Sequence, residues 1–249
     1  MNVDLVSIIM PSYKSEPFIT DAIESVIHQS YKNWELIIVD DKSPDNANNI
    51  IRSYEKKDDR VKLIALSDNV GPAAARNKAI DVANGRYIAF LDSDDMWKPQ
   101  KLERQIAFIN DNNAALVFSN YELINENGTY IGKVIESPVK VSYVDLLKSN
   151  HIGCLTAMYD TRKVGKLFMP LINKRQDYGL WLKILRKTNV AYGMREDLAT
   201  YRVVAKSVSS DKLKLIRYHY ELFTKFERLS RIKACYYIVC NILSKLLYR

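Results

Sequence analysis

Residues 88–97 read IAFLDSDDMW. An apolar run reaches Leu91, and three carboxylates, Asp92, Asp94 and Asp95, follow almost at once. Carboxylates this close repel one another unless a cation or a donor-rich ligand compensates them, so the cluster is either a solvated turn or a metal site. The flanking sequence tells what kind of strand delivers it.

Upstream, residues 6–10 form a short apolar run ended by Pro11, which reads as a buried strand. Ile19, Ala22, Ile23, Val26 and Ile27 then fall at the spacing of an amphipathic helix. WELIIVD is a second strand. Ser43 followed by Pro44 has the form of an N-cap and first-turn proline for a helix to about Lys56. VKLIAL is a third strand, Gly71 and Pro72 open a third helix that Gly85 is expected to close, and RYIAFL is the fourth strand. Strand and helix alternating in this way mean βαβ units and a parallel sheet, whose ligands bind beyond the carboxyl ends of the strands. Pro11 to Tyr13, Asp40 with Asp41, and Asp92 with Asp94 therefore converge on one rim. Asp is common after strands, but two acidic clusters on one edge point to a site. A divalent cation such as Mg²⁺ or Mn²⁺ takes oxygen ligands and often only one or two carboxylates plus substrate phosphates, which suits Asp94 and a diphosphate. No Gly-x-Gly-x-x-Gly or Walker-type lysine loop occurs.

The chain has 249 residues, 47% hydrophobic and 27% charged, enough for one large α/β domain with a core. Its net charge of +8 is uneven: residues 1–160 hold 17 Lys and Arg against 23 Asp and Glu, and residues 161–249 hold 20 against 6. The basic C-terminal part thus calls for an anionic partner. Cys154, Cys235 and Cys240 form no C-x-x-C pair, so no disulfide framework or zinc site is expected. No secretory signal surrounds VSIIMP, and a cytoplasmic location is expected.

The segments VSIIMPSYKSEPFITDAIESVIHQSYKNWELIIVDDKSPDN, NVGPAAARNKAI, GRYIAFLDSDDMWKPQKLERQ and KRQDYGLWLKIL, in this order, resemble glycosyltransferase family 2 over most of residues 5–210. The family resembled includes enzymes of bacterial capsule, teichuronic acid and lipopolysaccharide assembly. The resemblance implies a GT-A nucleotide-sugar-binding fold, with a Rossmann-like, mostly parallel sheet flanked by helices. It implies that Pro11, Tyr13, Glu16, Asp41, Arg76, Asp92 and Ser93 bind the nucleotide and that Asp94 holds Mn²⁺ or Mg²⁺. It also implies that Asp177, at the start of the helix QDYGLWLKIL, is the general base of an inverting transfer; a carboxylate favoured by the helix dipole is the plainer reading of that position. Three departures stand out. Gln176 precedes Asp177 where the family often has Glu, Val204 stands where many members have a metal-binding His, and Q-x-x-R-W, the processive signature, is absent. Transfer of a single sugar, most simply from a UDP-linked donor to a lipid-linked or saccharide acceptor, is expected. The alternatives are a nucleotidyltransferase, for which PSYKSEP lacks the Gly-rich loop, and a silent membrane-binding module, which would have no need of Asp41, Asp92, Asp94 and Asp177 together.

Residues 1–210 are expected to form the catalytic domain and residues 211–249 a basic helical segment. Leu213, Ile216, Tyr220 and Phe223 mark one helix. After Glu227 there is no acidic residue, while Arg228, Arg231, Lys233, Lys245 and Arg249 surround ACYYIVCNIL. Ten apolar residues cannot span a bilayer, which needs about 20. Such a segment suits the interface of an anionic membrane, at the inner face of the cell, or else packing on the domain or a dimer contact. Nucleic acid is not expected, since no recognised motif accompanies the charge. The segment YRVVAKSVSS either meets a phosphorylated acceptor through Arg202 and Lys206 or is an ordinary strand and loop.

Overall fold

The computed structural model describes residues 2–204 and 212–247. Its first half alternates as the sequence pattern predicts: β1 (Asn2–Ser12), α1 (Ile19–Ile27), β2 (Trp34–Asp40), α2 (Ala47–Glu55), β3 (Val61–Ala65), α3 (Pro72–Val82) and β4 (Gly85–Phe90). The short β5 (Met96–Trp97) and α4 (Lys101–Asp111) lead to β6 (Leu116–Ile124), β7 (Tyr130–Ile135), β8 (Lys140–Ser142) and α5 (Tyr143–Lys148). Then follow β9 (Met158–Asp160), α6 (Thr161–Val164), α7 (Gln176–Thr188) and β10 (Val190–Arg202), and finally α8 (Lys212–Glu221) and α9 (Arg231–Leu247).

One mixed sheet runs β3-β2-β1-β4-β9-β6-β10-β5, with β7 on β6 and β8 on β10. The first four strands are parallel; β9 runs antiparallel to both β4 and β6, and β10 is parallel to β6. The parallel order expected from the βαβ rhythm thus holds for the β3-β2-β1-β4 half, and the antiparallel β9 joins it to the rest.

Helices cover both faces, so the central strands have no polar side. Ile9, Ile37, Val39, Ile88 and Phe90 pack with α3, α7 and the tail helices, while Val6, Ile8, Met10, Leu36, Ile38, Tyr87 and Ala89 pack with α1, α2 and α4. Each such side chain, fully buried, stabilises the fold by about 1.5–3 kcal/mol before entropy is counted. The α1 stripe is as expected: Ile19, Ala22, Ile23 and Val26 are buried.

Two local expectations are corrected. Ser43 does not cap α2, which begins at Ala47. Its hydroxyl and amide both donate to the buried Asp40 carboxylate, which also accepts from Asn48 Nδ2 at 3.0 Å. A charged acceptor deep in the rim outcompetes the helix end for those donors. Gly85 does not close α3, which ends at Val82; it opens β4. A Cβ there would lie 2.6 Å from the Ser7 amide nitrogen and 2.7 Å from the Leu5 carbonyl, so the glycine permits close approach of β1.

The helix expected through Leu213, Ile216, Tyr220 and Phe223 is present as α8 and the turn that follows it. Ile216 and Tyr220 are exposed, whereas His219, Leu222 and Phe223 are buried. The chain widens into a π-helical turn at Leu222–Phe226, which shifts the face relative to a 3.6-residue period. The His219 ring meets the edge of Tyr178 at 5.9 Å and stacks on Phe223 at 6.0 Å. The domain boundary expected at 210/211 falls outside the described residues. Leu222, Phe223, Ala234 and Ile238 belong to the same core cluster as Leu180 and Trp181.

Candidate active site

Because β1 lies between β2 and β4, their carboxyl ends form one rim. Asp41 follows β2 and is buried, and its two oxygens accept from Val70 N at 2.7 Å and Gly71 N at 2.9 Å. This carboxylate pins the loop that opens α3, and each oxygen keeps a lone pair for a further donor. Pro11 lies in register with Val39, and Tyr13 is exposed just beyond β1. Glu16 is already engaged. Its amide donates to Asp45 and its carboxylate accepts from Asn46 N, both at 3.0 Å, which stitches two loops of the rim together.

Past β4 the three opening carboxylates have three different environments. Asp92 pairs with Arg76, a buried guanidinium on α3. Burial alone would push Arg76 down, but Asp92, Cys154 and Asp177 more than reverse this and hold it fully charged. Its Nε has no hydrogen-bond partner among the described residues. Asp95 is buried, and its carboxylate accepts from Arg202 N at 2.9 Å. Ser93 is buried between Asp92 and Asp94.

Asp94 is left. Its carboxylate makes no hydrogen bond to another described residue, and burial, helped by the neighbouring charge of Asp92, pushes its pKa up to about 6. That is an acceptor with unmet demand, which a hard cation would satisfy. No group of three or more His, Cys, Asp or Glu side chains among the described residues forms a complete cation site. A cation there would take Asp94, with Asp92 beside it, and complete its shell with phosphate and water oxygens. Val204, where a third ligand was sought, offers no donor side chain.

Asp177 stands in the first turn of α7, more than 80 positions from Asp92 in sequence, yet the two interact electrostatically. Burial raises the Asp177 pKa, opposed by the Tyr178 amide, Arg76 and Arg175, while Asp92 raises it further. Arg175 enters the helix with left-handed backbone, φ 69°. The folded chain thus brings Arg76, Asp92 and Asp177 into one neighbourhood.

Two contributors were not read from the sequence as members of this site. Cys154 begins a single 3-10 turn, Cys154–Thr156, within the field of Asp92, Arg76 and Asp177, and burial pushes its thiol well up. The turn is fixed by Trp97 Nε1, which donates to Leu155 O at 2.7 Å, and by Gln105 Nε2, which donates to Thr156 O at 2.7 Å. Lys101, fully buried, spans these two residues: its Nζ donates to Gln105 Oε1 at 2.7 Å and lies 4.0 Å from the Trp97 ring centre. The segment MWKPQKLERQ is therefore a scaffold for the far wall of the site.

Arg202 is the second. A candidate for a phosphorylated acceptor, it is buried, and each of its guanidinium nitrogens donates within the protein. Its guanidinium donates to Asp94 O at 2.9 Å, Glu126 O at 2.7 Å and Asp21 Oδ2 at 2.9 Å. With its amide on Asp95, Arg202 clamps the acidic turn from β10. Lys206, the other candidate, lies outside the described residues.

Known proteins share the sequence and fold of this chain. The sequence profile described as "Glycosyl transferase family 2" matches residues 7–167. A Bacillus subtilis protein named as a teichuronic acid biosynthesis glycosyltransferase, TuaG, is 46% identical over 94% of this chain and 93% of its own. The Escherichia coli protein named UDP-Glc:alpha-D-GlcNAc-diphosphoundecaprenol beta-1,3-glucosyltransferase, WfgD, is 42% identical over 89% of this chain and 86% of its own. In fold, the chain superposes on S. aureus TarS 1–349 in complex with UDP-GlcNAc with a TM-score of 0.72 at 20% identity, over 95% of this chain and 70% of that one. It also superposes on the mannosyltransferase PcManGT of Pyrobaculum calidifontis, in complex with GDP-Man and Mn²⁺, with a TM-score of 0.69 at 18% identity, over 90% of this chain and 64% of that one. The parallel βαβ rim that carries Asp41 and Asp92 and these similarities lead to one statement: the chain is a GT-A-fold enzyme that belongs to glycosyltransferase family 2.

Proposed function

We propose that this glycosyltransferase moves a single sugar, with inversion, from a UDP-sugar to a sugar carried on a lipid diphosphate, in the assembly of a bacterial surface polysaccharide. The observation that carries the reading is the meeting of Asp177 with the Arg76–Asp92 pair at the rim where Asp41 and Asp94 also stand. The names of TuaG and WfgD support the substrate class.

In this reading Asp41 and the rim around Pro11, Tyr13 and Glu16 receive the base and ribose. Arg76 and Asp92 face the diphosphate end, where the free Nε of Arg76 is a donor for a phosphate oxygen. Asp94, with Asp92 beside it, would hold a divalent cation, which when bound offsets the negative charge of the diphosphate. Asp177 accepts the proton of the acceptor hydroxyl as its oxygen bonds to the anomeric carbon. The bond from that carbon to the diphosphate oxygen breaks on the opposite side, and UDP leaves with the electron pair. A carboxylate whose pKa is raised by burial is the stronger base for this step. Because the site has no Q-x-x-R-W segment to retain a growing chain, one sugar is transferred per encounter.

Thermal unfolding in the presence of UDP-Glc, UDP-GlcNAc and GDP-Man, each with and without Mn²⁺, tests the donor class. The expected result is a rise in Tm of several degrees with a UDP-sugar and Mn²⁺ together, because binding to the folded state alone shifts the equilibrium. Stabilisation by GDP-Man instead, or an equal response without Mn²⁺, contradicts the assignment.

A further inference from the structure

The C-terminal helix raises a question that packing alone does not answer. One side of α9 belongs to the domain: Ala234, Ile238 and Asn241 are buried, and Asn241 Nδ2 donates to Leu147 O at 2.7 Å. The other side is equally apolar and faces outward. Ile232 is 84% exposed, Tyr236 57%, Val239 53%, Leu243 51% and Leu246 66%. Their spacing of four and three residues makes a single stripe about 21 Å long at 1.5 Å per residue. No helix among the described residues is long and apolar enough to cross a membrane, so this stripe lies on something rather than through it.

Its chemistry selects the occupant. Arg228, Arg231 and Lys233 are exposed beside the start of the stripe, and the chain contains no acidic residue after Glu227. The same four-three spacing could seat a second copy of the helix. That pairing would bring basic segments together with no acid to compensate them. An anionic lipid surface supplies both an apolar layer for the stripe and negative headgroups for its basic end. We infer that the outer face of α9 docks the folded enzyme in the plane of an anionic membrane while its inner face stays on the domain.

The inner face of this helix also connects it to the helix that carries Asp177. Leu147 O accepts from Asn241 of α9 and, at 3.3 Å, from the hydroxyl of Tyr178, the residue after Asp177. The docked helix and the helix that carries Asp177 thus meet at one carbonyl. A sugar on a lipid diphosphate, anchored in the same bilayer, is then presented near the site without leaving the membrane. The docking itself rests on the surface of α9, apart from any reading of the acceptor.

The test is co-sedimentation of the full chain with vesicles of phosphatidylcholine alone or with 30–40% phosphatidylglycerol (roughly the range in which such electrostatic attraction develops), with sedimentation velocity in parallel. Truncation is a poor probe, because removing Ala234, Ile238 and Asn241 would open the core. The informative variants change only exposed positions: Ile232→Gln, Tyr236→Gln, Val239→Gln and Leu243→Gln combined, and separately Arg231→Gln with Lys233→Gln. Wild type should pellet with anionic vesicles, less as salt rises, and the four-residue variant should lose at least about tenfold in partitioning with an unchanged Tm. The charge variant should lose affinity for anionic vesicles and not for neutral ones. Equal pelleting of wild type and the four-residue variant, or a wild-type dimer that this variant dissociates without any change in vesicle binding, would overturn the proposal.

Discussion

Asp177→Asn is expected to bind the UDP-sugar as wild type does and to lower kcat by about 10²-fold or more, the usual loss on removing a general base. The substitution keeps the shape of the side chain and its place in the first turn of α7, so Tyr178 and the core behind it are undisturbed. The pH dependence gives a second signature. Burial raises the Asp177 pKa, and the base works only when deprotonated. Wild-type kcat should therefore fall as pH drops through a value above the ordinary carboxyl range. In Asp177→Asn the small residual rate should lack that limb. Quenched-flow measurement of product formation at saturating acceptor, across pH, reads both effects. A variant with wild-type turnover and the same acid limb would mean that another group takes the proton.

Asp94→Asn should fail at the other step. Asp92 is tied to Arg76 and Asp95 to the amide of Arg202, so Asp94 is the carboxylate of the turn with capacity left for a cation. Removing its charge while nearly keeping its shape should weaken UDP binding in the presence of Mn²⁺ by about tenfold or more, in the range measured when supporting metal ligands are lost. Binding without metal should change little. Isothermal calorimetry with UDP, with and without Mn²⁺, separates the two. Equal affinities for wild type and variant in Mn²⁺ would remove Asp94 from the metal site.

What the sequence made legible follows from the range of the interactions involved. Apolar runs and their spacing are local, and they placed β1 through β4 and the α1 stripe. Parallel topology then carried Asp41 and Asp92 to one rim without any knowledge of contacts. Asp177 is different: its place in the neighbourhood of Asp92 depends on how the later chain folds back on the first half, which no local pattern announces. It was reached through resemblance to the family.

The misreadings have the same origin. Ser43 satisfies every local rule for a helix cap, yet the buried Asp40 takes its hydroxyl, and only the fold brings that charge so close. Gly85 looks like a helix stop, and the close approach of β1 is what requires it. Arg202 looked free to meet a phosphate, but its partners Asp21, Asp94 and Glu126 come from three separate parts of the chain. The signal that could have found it is the run Asp92, Asp94, Asp95 itself. A turn so rich in charge needs a buried cation to hold it, and Arg202 ends the strand that pairs with β5, directly after that turn.

The central claim is a single in-line displacement with Asp177 as base. Its most direct test is the anomeric configuration of the product, read from the coupling of the anomeric proton by NMR after transfer from an α-linked UDP-sugar. The account predicts a β-linked product. An α-linked product would mean retention, and no single displacement driven by Asp177 could give it.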